Sequence, residues 1–226
     1  MLLTIPEVLT KKEVEQFKQH LTNAPWQDGK LTAGGQAAQV KSNQQLDDNA
    51  PLTQQLSQTL LTRLQTHPTF ISATLPNKIF PPKFNRYQNG GSYGLHVDNA
   101  IMSLASGQFL RTDVSATLFF SDPDEYEGGE LAIETQYGAQ AVKLNAGDMI
   151  VYPSTSLHQV NPVTKGSRVC AFFWLQSLVK DNQQREQIFE LDQSIQVLTS
   201  ERGTDDFEVR RLTGIYHNLV RAWSEC

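Results

Sequence analysis

From about residue 78 to about residue 178, the chain is a succession of short segments with strand-like composition, separated by Gly, Pro, Asn and Asp. Many short strands with such turns between them favour a β-sandwich or a β-barrel. Two consecutive prolines, Pro81 and Pro82, confine the start of this region to a sheet edge or a bend, because proline cannot donate to a strand ladder. The predicted strands are Ser92–His96, Asp113–Phe120, Glu130–Glu134, Ala141–Leu144, Asp148–Tyr152, His158–Asn161 and Arg168–Leu175.

Helical periodicity precedes this region. Thr10 and Glu13 have the spacing of a capping box and predict a helix over residues 10–22. A second helix, with a stripe of leucines on one side, begins at Pro51. It ends before the dipeptide His67-Pro68, because proline disfavours helical geometry in the residue that precedes it.

Helical periodicity also follows the strand region. Asp181 is a predicted helix cap and Gly203 a predicted helix end, and a last helix covers about residues 205–223. The apolar face of this last helix is wide and must be buried against something. Packing on the strand region is one interpretation, and a contact between subunits of a homo-oligomer is the other.

The pattern therefore predicts a mainly β fold with flanking helices. We divide the chain into an N-terminal helical and loop region (1–77), a barrel (78–178) and a C-terminal helical extension (179–226). Residues 23–50 have little periodicity and are predicted to form loops or short edge strands. This segment either covers a site or crosses the surface.

Charge and composition exclude several classes of partner. A formal net charge of −5 and a pI near 5.5 argue against binding to nucleic acid or to an anionic membrane surface. The sequence contains no apolar stretch of membrane-spanning length and no signal-peptide pattern, so a cytoplasmic protein is expected. The two cysteines, Cys170 and Cys226, are expected to be free thiols.

Two residues in the segment Gly94–Asn99 could ligate a metal. In an extended segment successive side chains alternate between faces, so His96 and Asp98 point the same way. His158, which begins a distant predicted strand, could supply a second imidazole. Two His and one carboxylate on one side of a metal form the arrangement that leaves coordination positions open on non-haem Fe(II).

Arg168 is the fourth residue of interest, and it begins a strongly apolar predicted strand. A guanidinium is costly to bury unless a planar anion receives it. Arg168 therefore predicts either an anionic ligand or a buried ion pair with an acidic neighbour.

The order of these residues resembles the Fe(II)- and 2-oxoglutarate-dependent dioxygenases of the prolyl-hydroxylase-like superfamily. In fuller detail it resembles the bacterial PKHD-type hydroxylases, the PiuC group. The matching stretches cover most of the chain. They are Trp26–Gly34, Val40-Lys41, Asn85–Asp98, Phe119–Ser121, Glu127–Leu131, Gly147-Asp148, His158 and Arg168.

The resemblance implies a double-stranded β-helix, the jelly roll of cupin-like barrels, with a metal at its open end. It implies that His96, Asp98 and His158 bind Fe(II) and that Arg168 binds the distal carboxylate of 2-oxoglutarate. Tyr87 is either a further contact to this cosubstrate or a core aromatic. O2 is the co-reactant, and L-ascorbate is expected as the agent that keeps the iron reduced. Because position 98 holds a carboxylate rather than Ala or Gly, hydroxylation is favoured over halogenation.

The substrate that is hydroxylated does not follow from any residue. The resemblance suggests a small molecule or a peptidyl proline, and the PiuC group suggests a link to iron uptake. Two other classes remain as alternatives. One is a non-catalytic cupin-like binding module, and the other is a zinc hydrolase, since zinc also accepts two His and one carboxylate. Neither explains Arg168.

Overall fold

The computed structural model describes residues 1–32 and 37–225, so the motif residues Ala33 and Gly34 and the terminal Cys226 lie outside the described residues. The strands are β1 (Leu3–Ile5), β2 (Gln27–Asp28), β3 (Lys41–Ser42), β4 (Gln44–Gln45), β5 (Pro76–Ile79), β6 (Lys83–Gln88), β7 (Ser92–His96), β8 (Ile101–Ser103), β9 (Phe109–Arg111), β10 (Val114–Phe119), β11 (Tyr126–Gly128), β12 (Leu131–Thr135), β13 (Gly138–Val142), β14 (Met149–Pro153), β15 (His158–Val160) and β16 (Val163–Ser177). The helices are α1 (Lys11–Thr22), α2 (Ala37–Val40), α3 (Pro51–Leu64), α4 (Pro68–Thr74), α5 (Asn182–Arg202) and α6 (Phe207–Trp223).

The larger sheet is built around β16. Its strand order is β1-β14-β10-β16-β6-β4-β2, and β5 and β11 pair with other parts of β16. The pairing of β16 with β6 is antiparallel and places Arg168 opposite Tyr87 and Phe172 opposite Lys83. Since side chains two apart on a strand share a face, β16 presents Arg168, Cys170, Phe172 and Trp174 to one side of the sheet.

The smaller sheet has the order β13-β12-β15-β7-β3 and faces the larger one. Buried residues of both sheets meet in one apolar cluster, which includes Tyr87, Phe119, Ile133 and Val160. Two facing antiparallel sheets with helices at the ends of the chain confirm the predicted mainly β architecture.

The N-terminal region contributes strands to both sheets. β1 pairs with β14, β4 pairs with β6, and β3 pairs with β7. The segment 23–50 forms short strands where the structure describes it, and Lys41 and Gln45 from this segment line the central pocket.

Helix α1 packs on the outer face of the larger sheet. Thr10 caps it in the predicted capping box with Glu13. Its buried face is Val14, Phe17 and Leu21, and the ring of Phe17 lies 5.1 Å from that of Phe120. The helical spacing of these three apolar residues places them on one face of α1, and that face packs on the sheet through aromatic contacts.

Several short elements are absent from the sequence-based prediction, among them helix α4 and the β8–β9 hairpin. Helix α4 starts directly after His67, whose Nδ1 accepts a hydrogen bond from the backbone N–H of Phe70. The sequence pattern predicts the end of α3 correctly but predicts no helix after it, because the roughly two turns of α4 carry little periodicity. The β8–β9 hairpin is also missed, since both strands are very short and largely exposed.

The C-terminal helices pack on one another and on the barrel. Asp181 caps α5, as predicted, and accepts two backbone N–H groups. Four residues on one face of α6 pack against the buried cluster formed by Leu75, Val179 and Ile188. These four residues are Tyr216, Leu219, Val220 and Trp223. Within the described residues, no helix is long and apolar enough to cross a bilayer.

Gly147 lies where the N-terminal segment packs closely on the larger sheet. It provides a test of that contact. Its φ is +99°, and a Cβ there would lie 2.5 Å from the carbonyl oxygen of Leu9. Gly138 is the matched control, because its φ is +105° but a Cβ would meet no atom within 4 Å. Gly147→Ala should lower the free energy of unfolding by at least about 2 kcal/mol more than Gly138→Ala, because it adds a steric clash to the same backbone strain. Urea unfolding measures both, and equal losses would contradict the close approach.

Candidate active site

His96, Asp98 and His158 converge between the two sheets. Each offers one ligand atom, and these atoms all lie within 4.8 Å of one another. His158 stands directly opposite His96 in the pairing of β15 with β7, and the centroids of the two rings are 4.3 Å apart. Nε2 of His158 lies 3.8 Å from Oδ2 of Asp98. The structure therefore brings together the three residues that the sequence analysis selected.

Backbone carbonyls orient both imidazoles. Nδ1 of His96 lies 2.7 Å from the carbonyl oxygen of Gly94, and Nδ1 of His158 lies 2.9 Å from that of Ser156. A carbonyl can only accept, so each Nδ1 donates a proton to it, and each Nε2 is the ring nitrogen available to a metal. Burial, with a contribution from His158, lowers the pKa of His96 to about 4, so this ring is neutral at pH 7. Imidazoles whose orientation is fixed in this way are suited to binding a metal.

Two serines orient the carboxylate. The hydroxyl of Ser115 donates to Oδ2 of Asp98 over 2.6 Å. The hydroxyl oxygens of Ser115 and Ser154 are 2.7 Å apart, and both serines are buried. The chain thus fixes one oxygen of Asp98 and restricts its rotation, as partners of metal ligands commonly do.

Tyr93 belongs to the site, although sequence reasoning did not select it. Strict alternation along β7 would place Tyr93 and His96 on opposite faces. The pairing with β15 has a bulge, so that Val160 pairs with Tyr93 while His158 pairs with His96. The bulge turns the Tyr93 ring onto His96, with centroids 3.7 Å apart. Burial and the charge of Asp98 raise the pKa of Tyr93 to about 12, so the phenol stays protonated. Gly94, which permits such a bulge, is the available sequence signal.

Arg168 is buried at the other end of the same pocket, with only 1% of its surface exposed. Its guanidinium stacks near the rings of Tyr87 and Phe119, at 5.1 and 5.0 Å, and one NH group lies 3.2 Å from Sγ of Cys170. Within the described part of the chain, no carboxylate forms an ion pair with Arg168, and its Nε has no hydrogen-bond partner. The alternative, a buried ion pair with an acidic neighbour, is therefore not found among these residues. A buried guanidinium with an unsatisfied N–H is arranged to receive an anion.

Tyr87 and Tyr126 lie close to this guanidinium. Tyr87 is buried, lines the pocket and accepts a hydrogen bond of 3.3 Å from Nδ2 of Asn85. The hydroxyl of Tyr126 is also buried, and the positive charge of Arg168 partly offsets the effect of burial on its pKa. Burial raises the pKa of both tyrosines, to about 12 for Tyr126, so both are neutral donors at pH 7. Two phenols and one guanidinium are suitable partners for a carboxylate.

Other residues near the predicted ligands lie in the pocket wall, in the core or at the surface. Val97 and Trp174 line the pocket, whereas Leu118 and Phe120 belong to the apolar core and Leu95 is half exposed. Glu127 pairs with Lys165, and Glu130 accepts a hydrogen bond from Asn161, so both glutamates have partners away from the metal ligands. Asp148 accepts the backbone N–H of Glu7.

The pocket fits both a metal and an anion. Two imidazoles and one carboxylate are a suitable donor set for a divalent transition metal, and they would occupy one side of it. The unsatisfied Nε of Arg168 marks the anion end. A molecule that chelates the metal at one end and carries a carboxylate at the other would satisfy both.

Comparison with known proteins assigns the family. The 2OG-Fe(II) oxygenase superfamily model matches residues 82–176, and the PKHD-type hydroxylase C-terminal domain model matches residues 182–225. A PKHD-type hydroxylase of Pseudoalteromonas atlantica is 59% identical over 227 residues, which cover all of both chains. A second, from Teredinibacter turnerae, is 55% identical and also covers all of both chains.

The chain belongs to the PKHD-type hydroxylases. Membership makes the protein an oxidoreductase, a hydroxylase that acts as a 2-oxoglutarate-dependent dioxygenase. It also implies Fe(II), 2-oxoglutarate and O2, as the resemblance predicted, with a small molecule or a peptide as the substrate class.

Solved structures show the same fold. A prolyl-4-hydroxylase of Pseudomonas putida is 17% identical, with a TM-score of 0.54, and the match covers 78% of this chain and 92% of that one. HygX of Streptomyces hygroscopicus, solved with nickel, 2-oxoglutarate and hygromycin B bound, is 16% identical with a TM-score of 0.54, covering 76% and 81% of the two chains. The double-stranded β-helix expected from the sequence is confirmed.

Replacing Ser115 tests the candidate metal site without changing any of its three candidate ligands. Ser115→Ala removes the hydrogen bond to Asp98, and the affinity for Mn(II) should fall by roughly 10- to 100-fold, the usual effect of losing such an orienting partner. Ser72→Ala is the matched control, because that buried hydroxyl also donates to a carboxylate, Asp192, but far from the pocket. Calorimetric titration with Mn(II) measures both. Equal affinities of the two variants would show that the Ser115 hydrogen bond does not orient Asp98 for metal binding.

Proposed function

We propose that the protein hydroxylates its substrate with Fe(II) held by His96, Asp98 and His158, and with 2-oxoglutarate held by Arg168. One observation carries this proposal. A single pocket has the three converging ligand atoms at one end and a buried guanidinium with an unsatisfied N–H at the other. The site thus accounts for both ends of the cosubstrate that the family uses.

The donor set supports iron in this position. The three side chains would hold the metal from one side, which would leave room for a bidentate chelator and for O2. HygX, a structural neighbour of this chain, was solved with nickel and 2-oxoglutarate bound, so the shared fold accommodates this combination. A zinc hydrolase or a binding module would leave the buried cation of Arg168 without a function, and family membership does not favour either.

Arg168 supports 2-oxoglutarate as the chelator. Its planar fork can receive the distal carboxylate through two parallel hydrogen bonds. Tyr87, opposite Arg168 in the sheet, has a hydroxyl close to this position and would add a neutral donor. Aromatic rings hold the guanidinium before the anion arrives, so that little conformational freedom is lost on binding.

The chain's own residues then have defined tasks. When bound, Fe(II), O2 and 2-oxoglutarate supply the oxidising power, so that the cosubstrate leaves as succinate and CO2 while the substrate gains a hydroxyl group. The two backbone carbonyls and Ser115 orient the ligands, and Tyr93 shields His96 from water. Asp98 occupies the position that a halide would need, which favours hydroxylation.

Other features rest on the family resemblance. We propose a link to iron uptake, a cytoplasmic location, and ascorbate as the reductant that restores Fe(II). Self-association through the C-terminal helices is supported by Phe207 and Ile215, which stay exposed on α6. Size-exclusion chromatography with light scattering tests for self-association.

Anaerobic titration with Fe(II) and 2-oxoglutarate tests the central proposal. The chelate has a weak visible charge-transfer band, which should appear in the unsubstituted protein and be absent from His96→Ala. Arg168→Met should need roughly 30-fold more 2-oxoglutarate or more, because one partner of a buried charge pair is lost.

Arg86→Met is the control for Arg168. Arg86 is the neighbour of Tyr87 on β6, but its guanidinium packs on Trp26 outside the pocket, 4.9 Å from that ring. This variant should titrate like the unsubstituted protein. If the iron-loaded protein gives no band at any 2-oxoglutarate concentration, the proposed function is wrong.

Tyr87→Phe separates the two roles considered for this tyrosine. As a cosubstrate contact, its hydroxyl should contribute a factor of roughly 3 to 10 in the affinity for 2-oxoglutarate, the usual value of one neutral hydrogen bond. Tyr216→Phe, on α6, is the control. The same titration measures both variants, and an unchanged affinity in Tyr87→Phe would make Tyr87 a core aromatic.

A further inference from the structure

The backbone that follows Asp98 is held by one buried threonine. Residues 97–100 connect β7 to β8, and Asn99 lines the pocket. Thr112, which follows β9, bonds to this connection twice. Its backbone N–H donates to the carbonyl oxygen of Ala100 over 3.0 Å, and its hydroxyl donates to that of Asn99 over 2.6 Å. The position of the backbone directly after a proposed metal ligand therefore depends on Thr112.

The two neighbours of Thr112 in the chain are fixed to each other. The carboxylate of Asp113 is buried and accepts two hydrogen bonds from the guanidinium of Arg111, of 2.7 Å from Nε and 3.0 Å from Nη2. The backbone N–H of Ser177, at the end of β16, donates to the same carboxylate over 2.9 Å. A two-point pair between a guanidinium and a carboxylate is geometrically specific. It therefore anchors Thr112 to the larger sheet.

The C-terminal extension contacts this anchor. The carboxylate of Glu225 accepts a hydrogen bond of 2.9 Å from Nη1 of Arg111. Arg185 of α5 is buried; burial lowers its pKa, and the negative charge of Asp113 opposes that shift. A partly exposed ion pair such as the first contributes little alone, whereas a buried charge is costly without an opposite charge nearby. The extension thus acts on both members of the Arg111–Asp113 pair.

A second connection leads from Asp113 to the side chain of Asp98. The backbone N–H of Ser154 donates to the carbonyl oxygen of Asp113 over 3.2 Å. The hydroxyl of Ser154 lies 2.7 Å from that of Ser115, which donates to the carboxylate of Asp98. Both the backbone after Asp98 and its carboxylate are therefore connected to residues 111–113 through hydrogen bonds.

We propose that Thr112 is a positioning residue for Asp98, and that the C-terminal extension holds Thr112 in place through Arg111 and Asp113. This inference rests on the proposed function, because it takes Asp98 as a metal ligand. Outer partners that fix the orientation of a ligand contribute to metal affinity. The C-terminal extension, which supplies none of the three proposed ligands, thereby takes part in building the metal site.

Two substitutions of Thr112 separate positioning from packing. Thr112→Val keeps the shape of the side chain but removes the hydroxyl, whereas Thr112→Ser keeps the hydroxyl but removes a methyl group. The affinity for Mn(II) should fall roughly 3- to 10-fold in Thr112→Val and stay within about twofold in Thr112→Ser, because only the first loses the hydrogen bond to Asn99. A residue that only fills space would give the opposite order. Calorimetric titration measures both affinities, and thermal unfolding checks that both variants are folded.

Thr74→Val is the matched control. Thr74 is also buried, and its hydroxyl also donates to a carbonyl oxygen, that of Phe70, over 2.7 Å. It lies on α4 and is not among the residues that line the pocket. Thr74→Val should bind Mn(II) like the unsubstituted protein. Equal affinities of Thr112→Val and Thr74→Val, or a larger loss in Thr112→Ser than in Thr112→Val, would overturn the role of Thr112.

Hydrogen exchange tests the contribution of the extension without any metal. Glu225→Ala removes its contact to Arg111 and should raise the amide exchange rate of residues 97–112 by roughly 2- to 5-fold, the usual range for one exposed ion pair. Arg111→Met also removes the contact to Asp113 and should raise that rate further. Glu208→Ala is the control, because it removes an exposed ion pair with Arg211 within α6. Exchange in Glu225→Ala that equals exchange in Glu208→Ala would overturn the part assigned to the extension.

The two measurements separate this inference from the proposed function. If the unsubstituted protein bound no Mn(II), the proposed function would be wrong, and exchange in the metal-free variants would still show whether residues 111–113 hold residues 97–100. Normal Mn(II) binding, with affinity and exchange both unchanged in Thr112→Val, would overturn this inference alone.

Discussion

The antiparallel pairing of β7 with β15 is the constraint on which the site depends. It sets His96 opposite His158 and, through its bulge, places Tyr93 against His96. A slip of one residue would turn every side chain of β15 to the other face of the sheet and remove His158 from the pocket. The buried Val160 of β15 opposes such a slip, since it would turn from the core to the outer face of the sheet. The apolar pattern of the sheet thus protects the geometry of the polar site.

Burying Arg168 is the main electrostatic cost of the fold. The chain lowers this cost with flat aromatic neighbours and a polarizable sulfur rather than with a carboxylate. A permanent ion pair would have to be broken before any ligand could bind there, whereas the aromatic arrangement leaves the guanidinium available. A carboxylate partner at this position would stabilise the fold but hinder ligand binding. The observed aromatic neighbours leave Arg168 available for a ligand.

The sequence predicts the parts of the molecule that depend on local pattern or on a motif. The capping box at Thr10, the cap at Asp181 and the main strands follow from short-range preferences, and the order of the candidate ligand residues predicts the cluster that converges in the structure. The sequence pattern does not identify Tyr93 and Lys41 as residues of the site. Tyr93 reaches the site through a bulge that shifts the alternation of one strand, and Lys41 is buried by packing between distant segments. Such positions depend on tertiary structure, which a one-dimensional pattern does not contain.

The pairing of β1 with β14 has a consequence for biosynthesis. Leu3 pairs with Val151, so β1 leaves the ribosome well before its partner strand has been made. At about 5–20 residues per second, that delay is roughly 7–30 s. During this time the apolar side chain of Ile5, which is fully buried in the finished protein, stays accessible to chaperones and to other nascent chains. The early strand is therefore the part of the molecule most exposed to misassembly during translation.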